Sequence, residues 1–99
     1  MKLTGRQTRL LRSLAHHLKP AVLVGQNRVT EGVIKHVDEE LENHELIKSK
    51  LLDAEKAEVR EAEEVLLKRT QAHKVQVIGH TLVLYRRRKE DPTIRLPKQ

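Results

Sequence analysis

Leu18-Lys19-Pro20-Ala21-Val22-Leu23-Val24-Gly25-Gln26-Asn27-Arg28 holds a helix stop, a strand and a turn in one short stretch. Lys19 precedes proline, and the proline ring pushes the residue before it away from helical angles. The wholly apolar, valine-rich run Ala21–Val24 predicts an interior strand covered on both sides. Gly25–Arg28 reads as a turn, after which Thr30 can cap a helix that carries Glu31 in its first turn. Helix, strand, loop and helix in immediate succession select an α/β fold.

On the N-terminal side, Thr4 with Gln7 three residues later predicts a capping box opening a helix that runs to about Leu18. At 100° per residue, Leu3, Leu10, Leu11, Leu14 and Leu18 fall within an arc of ~100°, the expected core face. Arg9, Arg12 and His16 fall opposite, with Arg6 on the flank. On the C-terminal side, Val33, Ile34, Val37 and Leu41 share one face of a helix ending near Asn43. Glu45–Leu52 alternates as a strand, with Ile47, Ser49 and Leu51 on one face and Lys48 and Lys50 on the other. A third helix is expected from about Ala54 to Gln71, burying Val59, Ala62 and Leu66. Val75–Ile78 and Leu82–Arg86 predict two strands joined by a tight turn at Gly79-His80.

The predicted order is α-β-α-β-α-β-β. Parallel pairing across the helical connections, closed by the hairpin, gives a mixed four-stranded sheet. Three short helices are too few to cover both faces, so a two-layer α/β sandwich is expected. The 99 residues suffice for one domain, placed at 1–90, with 91–99 as an extended, loosely held tail containing two of the three prolines.

Lys and Arg number 20 against 14 Asp and Glu, a net charge of +6 that favours an anionic partner. No acid precedes Glu31, whereas acids crowd into Asp38–Glu45 and Asp53–Glu64. A basic side and an acidic side are therefore expected. An Arg-rich, acid-free start is also the composition of a mitochondrial transit peptide, but its removal would take away the first helix and strand, so it reads as part of the fold. Charges interrupt every candidate secretory signal. No apolar run approaches the ~20 residues of a spanning helix, so no membrane partner is expected. With no cysteine, disulfides and thiolate metal sites are excluded, which fits a cytoplasmic protein.

Leu18–Gly25, the helix start Thr30-Glu31-Gly32-Val33, the strand His44–Lys48 and the hairpin Val77–Arg86 together resemble the CRM domain (chloroplast RNA splicing and ribosome maturation). The nearest likeness is to its bacterial stand-alone version, the YhbY family. The resemblance covers nearly the whole chain except the tail. It implies a fold similar to the C-terminal domain of translation initiation factor 3. It further implies RNA binding and, for stand-alone members, association with precursors of the large ribosomal subunit. The family signature is a Gly-x-x-Gly loop after the first strand. Gly25 matches its first glycine and Arg28 stands at the second, so a charged side chain is expected to replace part of the backbone contact to phosphate.

The expected RNA contacts are Lys19, Gly25, Gln26, Asn27 and Arg28 at the loop, the helical arginines Arg6, Arg9 and Arg12, and Lys48, Lys50, Arg86 and Arg87 on the strands. Lys19 is taken to lie beside the loop. Tyr85 with Arg87 is expected to add to an open basic sheet surface. For each cation the plainer alternative is a solvated surface charge. One Tyr and no Phe or Trp exclude an aromatic base-stacking platform, leaving phosphate and sugar contacts of weak sequence selectivity. The six histidines lack zinc-helix spacing, and neither P-loop, dinucleotide fingerprint nor nucleophile elbow occurs. The expectation is a non-enzyme without metal or cofactor, acting as a ribosome-assembly factor on precursor large-subunit RNA. The alternative is a basic adaptor that binds protein partners in ribonucleoprotein particles with incidental RNA affinity.

Overall fold

A computed structural model of the chain describes residues 2–98. Met1 and Gln99, the outer ends of the expected domain and tail, lie outside the described residues. Helix α1 spans Gly5–Ala15, with the predicted capping box formed in both directions: Gln7 N donates to Thr4 Oγ1 at 3.1 Å, and Thr4 N to Gln7 Oε1 at 3.0 Å. The helix stops three residues before its expected end, because His16 and His17 already turn toward the Lys19-Pro20 break. Strand β1 (Pro20–Val24), helix α2 (Glu31–His44, capped by Thr30), strand β2 (Leu46–Leu51), helix α3 (Lys56–Thr70) and strands β3 (His73–Ile78) and β4 (Thr81–Tyr85) follow.

The sheet order is β1-β2-β4-β3, with β1 parallel to β2 and the other pairs antiparallel, the mixed four-stranded sheet expected. Gly79, at φ 58°, makes the hairpin turn. Strand β1, however, is an edge strand rather than an interior one. Val22 and Val24 are buried while Leu23 is 60% exposed. An unbroken apolar run hides which alternate residues face the core, and here only one face of the strand is covered.

Layering also departs from the two-layer expectation. Helices α2 and α3 pack on one face of the sheet, where Ile34, Val37, Leu41, Val59, Ala62 and Leu66 meet Val22, Val24, Ile47, Leu51, Leu82 and Leu84. Helix α1 packs on the opposite face through Leu11 and Ala15 against Leu46, Val75, Val83 and Tyr85. The stripe it buries is Gln7, Leu11 and Ala15, narrower than the leucine arc predicted, and Leu14 and Leu18 remain 44% and 38% exposed.

Residues 92–98 form neither helix nor strand, and they are held against the rest of the fold. Ile94 and Leu96 pack beside α1 against the second core. Glu45, fully buried, is the anchor. Its Oε1 accepts from Thr93 N at 2.6 Å, Thr93 Oγ1 at 2.7 Å and Ile94 N at 3.0 Å, while Oε2 accepts from Arg88 N at 3.0 Å. Gln7 Nε2 adds a bond to Pro97 O at 2.7 Å. Burial pushes the Glu45 carboxyl up, but the four hydrogen bonds outweigh it and hold the group below its ordinary range.

Candidate nucleic-acid interface

Charge separates by layer. None of the acidic residues lies in α1 or in any strand; all sit in α2, α3, connecting segments or, for Glu90 and Asp91, the tail. On the α1 face, Arg6, Arg9 and Arg12 are exposed along the helix, and Arg12 Nε anchors to Val75 O at 3.3 Å. Arg12, His16 and Lys48 line one small hollow against the sheet. Lys50 follows two residues along β2 on the same face, about 7 Å further on. Leu23 lies opposite Lys50 in register, and Gly25 lies two residues beyond Leu23. A continuous cationic strip therefore runs from α1 across β2 to the Gly25–Asn27 loop.

Lys19 joins this strip at its other end. Five β1 residues separate it from the loop, about 16 Å, so it does not lie beside Gly25 as expected. It stands instead next to Pro20, which pairs with Lys48. Gly25, Gln26 and Asn27 are exposed, and a Cβ added at Gly25 would meet nothing within 4 Å.

Two expected contacts are engaged within the molecule. Arg28 Nε donates to Glu58 Oε2 at 2.7 Å, Nη1 to Gly25 O at 3.2 Å and Leu52 O at 2.6 Å, and Nη2 to Asp53 O at 2.8 Å. Four of the five guanidinium N–H groups are so used. Arg28 thus ties the β1–α2 loop to the β2–α3 connection, and its hydrogen bond lowers the Glu58 carboxyl from its ordinary value. Arg86 donates to Asp38 Oδ1 at 2.6 Å and to Thr70 O at 2.8 Å, bridging α2 to the C-terminus of α3. Arg88 does the same for α2, reaching Glu42 O at 2.9 Å and Asn43 O at 2.6 Å. Cations at helix C-termini satisfy the last carbonyls and complement the dipole. Of the run Arg86-Arg87-Arg88, only Arg87 is exposed. Tyr85 is buried under α1 and the tail, so it adds nothing to an open surface, and burial raises its hydroxyl pKa.

The N-terminus of α2 offers little to an anion. Thr30 Oγ1 accepts from Val33 N at 3.2 Å, and Glu31 is held by Arg69 of α3 through two bonds of 3.0 and 2.8 Å, which lower its pKa. Among the described residues no three His, Asp or Glu side chains gather as a metal site, and no helix is long and apolar enough to cross a membrane.

The family model for the CRS1 / YhbY (CRM) domain matches residues 3–86. The chain belongs to the CRM family. A Haemophilus influenzae protein named "RNA-binding protein" is 41% identical over 97 residues, covering 98% of this chain and 97% of that one. The Bacillus subtilis "Probable RNA-binding protein YqeI" is 44% identical, covering 96% and 99%. The solution structure of the hypothetical protein SAV1595 from Staphylococcus aureus superposes with a TM-score of 0.82 at 44% identity, covering 96% of this chain and 99% of that one.

Within this CRM domain the broken signature has a structural account. Arg28 adopts φ 56°, the left-handed conformation that a glycine would take without strain. The loop thus keeps its turn, with Arg28 N donating to Gly25 O at 3.0 Å, while the side chain folds back instead of projecting outward. Removing that side chain should destabilise the domain, and Arg28→Gly should be the milder change, by about 1 kcal/mol relative to Arg28→Ala, because glycine relieves the positive φ. Urea unfolding of both variants checks this. An alanine variant as stable as the glycine one would mean that the backbone strain is absent.

Proposed function

We propose that this CRM-domain protein binds RNA by its phosphate backbone, along the strip formed by Arg6, Arg9, Arg12, Lys19, Lys48 and Lys50 and ending at Gly25–Asn27. The observation that carries this reading is the absence of any acid from α1 and the four strands, which leaves those cations without local competitors for phosphate. The names of the relatives support the ligand class. Arg28 and Arg86 act as internal ties that shape the surface. Arg87 contributes from the margin beside the tail.

With Tyr85 buried, base stacking on aromatics is closed off, so affinity comes from cations and exposed loop backbone. Binding should fall steeply with salt. About six phosphate contacts imply a slope of log K against log salt of roughly −4 to −5. Gly25→Ala isolates the loop. Its φ is ordinary and its surroundings open, so stability should change by less than about 0.5 kcal/mol while RNA affinity drops. Thermal melting and fluorescence anisotropy on one preparation separate the two effects, and unchanged affinity would remove the loop from the interface.

The RNA we propose is that of a large-ribosomal-subunit precursor, the partner implied by the resemblance to stand-alone CRM proteins. Sucrose-gradient profiling of tagged protein tests it: the protein should sediment with large-subunit precursors, and confinement to ribosome-free fractions would refute the assignment. An adaptor role on the acidic helices has less to draw on, because Glu31, Asp38, Glu42 and Glu58 are already paired with arginines of the same chain.

A further inference from the structure

The largest hollow among those described lies on the other face of the sheet, between α3 and the edge strand β3. It is a groove of about 570 Å³. Lys56 and Arg60 stand on its α3 wall one helical turn apart, about 6 Å along the axis. Lys74 faces them from β3. Like charges at i,i+4 work against a helix unless something neutralises them. Among the described residues neither Lys56 nor Arg60 forms an ion pair, although α3 carries four glutamates. Of those glutamates, Glu58 is held by Arg28, Glu63, the acid that lines the groove, pairs with Lys74 at 3.4 Å, and Glu61 and Glu64 do not line the groove. Two free cations therefore remain on one wall.

The floor and mouth of the groove are also defined. Val59 is buried, Val77 is 40% exposed, and a Cβ at Gly79 would meet nothing within 4 Å. Half-exposed valine suits the apolar face of a ribose, and the open glycine turn leaves room for a chain to enter. The two cations rise from backbone positions about 6 Å apart along the helix axis, which lets their long side chains reach neighbouring phosphates of one strand. An acidic peptide could meet the same charges, but the half-exposed Val77 and the open mouth at Gly79 favour a sugar-phosphate chain.

We propose that the α3–β3 groove is a second RNA-backbone site, so that the protein holds two RNA segments, one on each face of its sheet. The proposal rests on the reading that the α1 face binds RNA. The groove is built on α3, β3 and the hairpin turn, and it shares no cation with the strip. The two sites should therefore be separable by substitution and should differ in strength, two free cations against about six giving the groove the weaker binding.

The test is a bridging assay with a short oligoribonucleotide immobilised on a surface and a second, labelled copy in solution. The full-length protein should capture the labelled strand. Lys56→Glu with Arg60→Glu should abolish capture by at least tenfold while leaving the tight binding of a single strand within twofold. Both positions are exposed on a helix surface, and circular dichroism on the same sample shows whether the fold is kept; Lys56→Ala with Arg60→Ala serves if it is not. Lys48→Glu with Lys50→Glu should lose the tight phase and retain weak binding. Capture that survives the groove substitutions overturns the proposal, as does their loss of all binding, which would mean one continuous site. Displacement of the second strand by polyglutamate below the concentration at which RNA competes would assign the groove to acidic protein and overturn it too. If the unsubstituted protein binds no RNA at all, the α1-face reading fails, and that outcome is distinguishable from the others.

Discussion

Replacing Lys48 and Lys50 together with glutamate should lower affinity for structured RNA on the order of 100-fold at physiological salt. Each lysine lost from a phosphate contact removes a charge-assisted interaction of about 1.5 kcal/mol, and the glutamates add repulsion. The slope of log K against log salt should flatten by about 2 at the same time, because two fewer counterions are released. Neither lysine forms an ion pair among the described residues, and both side chains lie on the face opposite the α2–α3 core. Folding stability should therefore change by less than about 0.5 kcal/mol. Anisotropy titrations at three salt concentrations, with a urea melt as control, measure all of this. A variant that binds as tightly as the parent with an unchanged slope would mean that β2 is not in the interface.

The second large effect concerns folding. Glu45→Gln keeps the shape of the side chain but replaces one acceptor oxygen by an NH2 group. Whichever way the amide turns, a donor meets a donor: Arg88 N on one side, or the Thr93 and Ile94 donors on the other. Leaving buried donors unsatisfied costs about 2–4 kcal/mol, a large share of the stability of a domain this size. The melting temperature should fall by roughly 10–25 °C. The tail should detach with it, exposing Tyr85, whose fluorescence is a local reporter because the chain has one Tyr and no Trp. Acid denaturation follows the same group. The folded carboxyl lies below the unfolded value of 4.5, so its stabilisation is fully present above that pH and is lost as pH falls through the lower, folded value. Stability of the parent protein should thus decline below about pH 4.5, and the Glu45→Gln variant should show a flatter acid limb.

Local patterns in the chain were readable where the partners are close in sequence. The Thr4–Gln7 box, the Thr30 cap, the alternation of β2 and the Gly79-His80 turn each depend on residues within four positions. The readings that failed depend on distant ones. Arg28 looks like a free cation until Glu58, thirty residues on, is brought beside it. Arg86 needs Asp38, and the tail needs Glu45, each nearly fifty residues away. Strand β1 reads as interior because its run is apolar throughout, yet its neighbours leave Leu23 uncovered. The basic and acidic sides were correctly expected from charge order. Their cause, a sheet with α1 on one face and α2 and α3 on the other, was not, because helix count alone does not say how helices distribute between two faces. Lys19 was displaced from the loop for a simpler reason, since a strand separates its two ends in space even where sequence makes them neighbours.

The central claim is that RNA lies on the α1 face of the sheet. An NMR titration of labelled protein with a short structured RNA reads this residue by residue. The backbone signals of Arg9–His16, Lys48–Lys50 and Gly25–Asn27 should shift in step as RNA is added, with the outward face of α2 from Lys35 to Asn43 unmoved. Shifts confined to α2, with the α1 face and the loop unaffected, would contradict it.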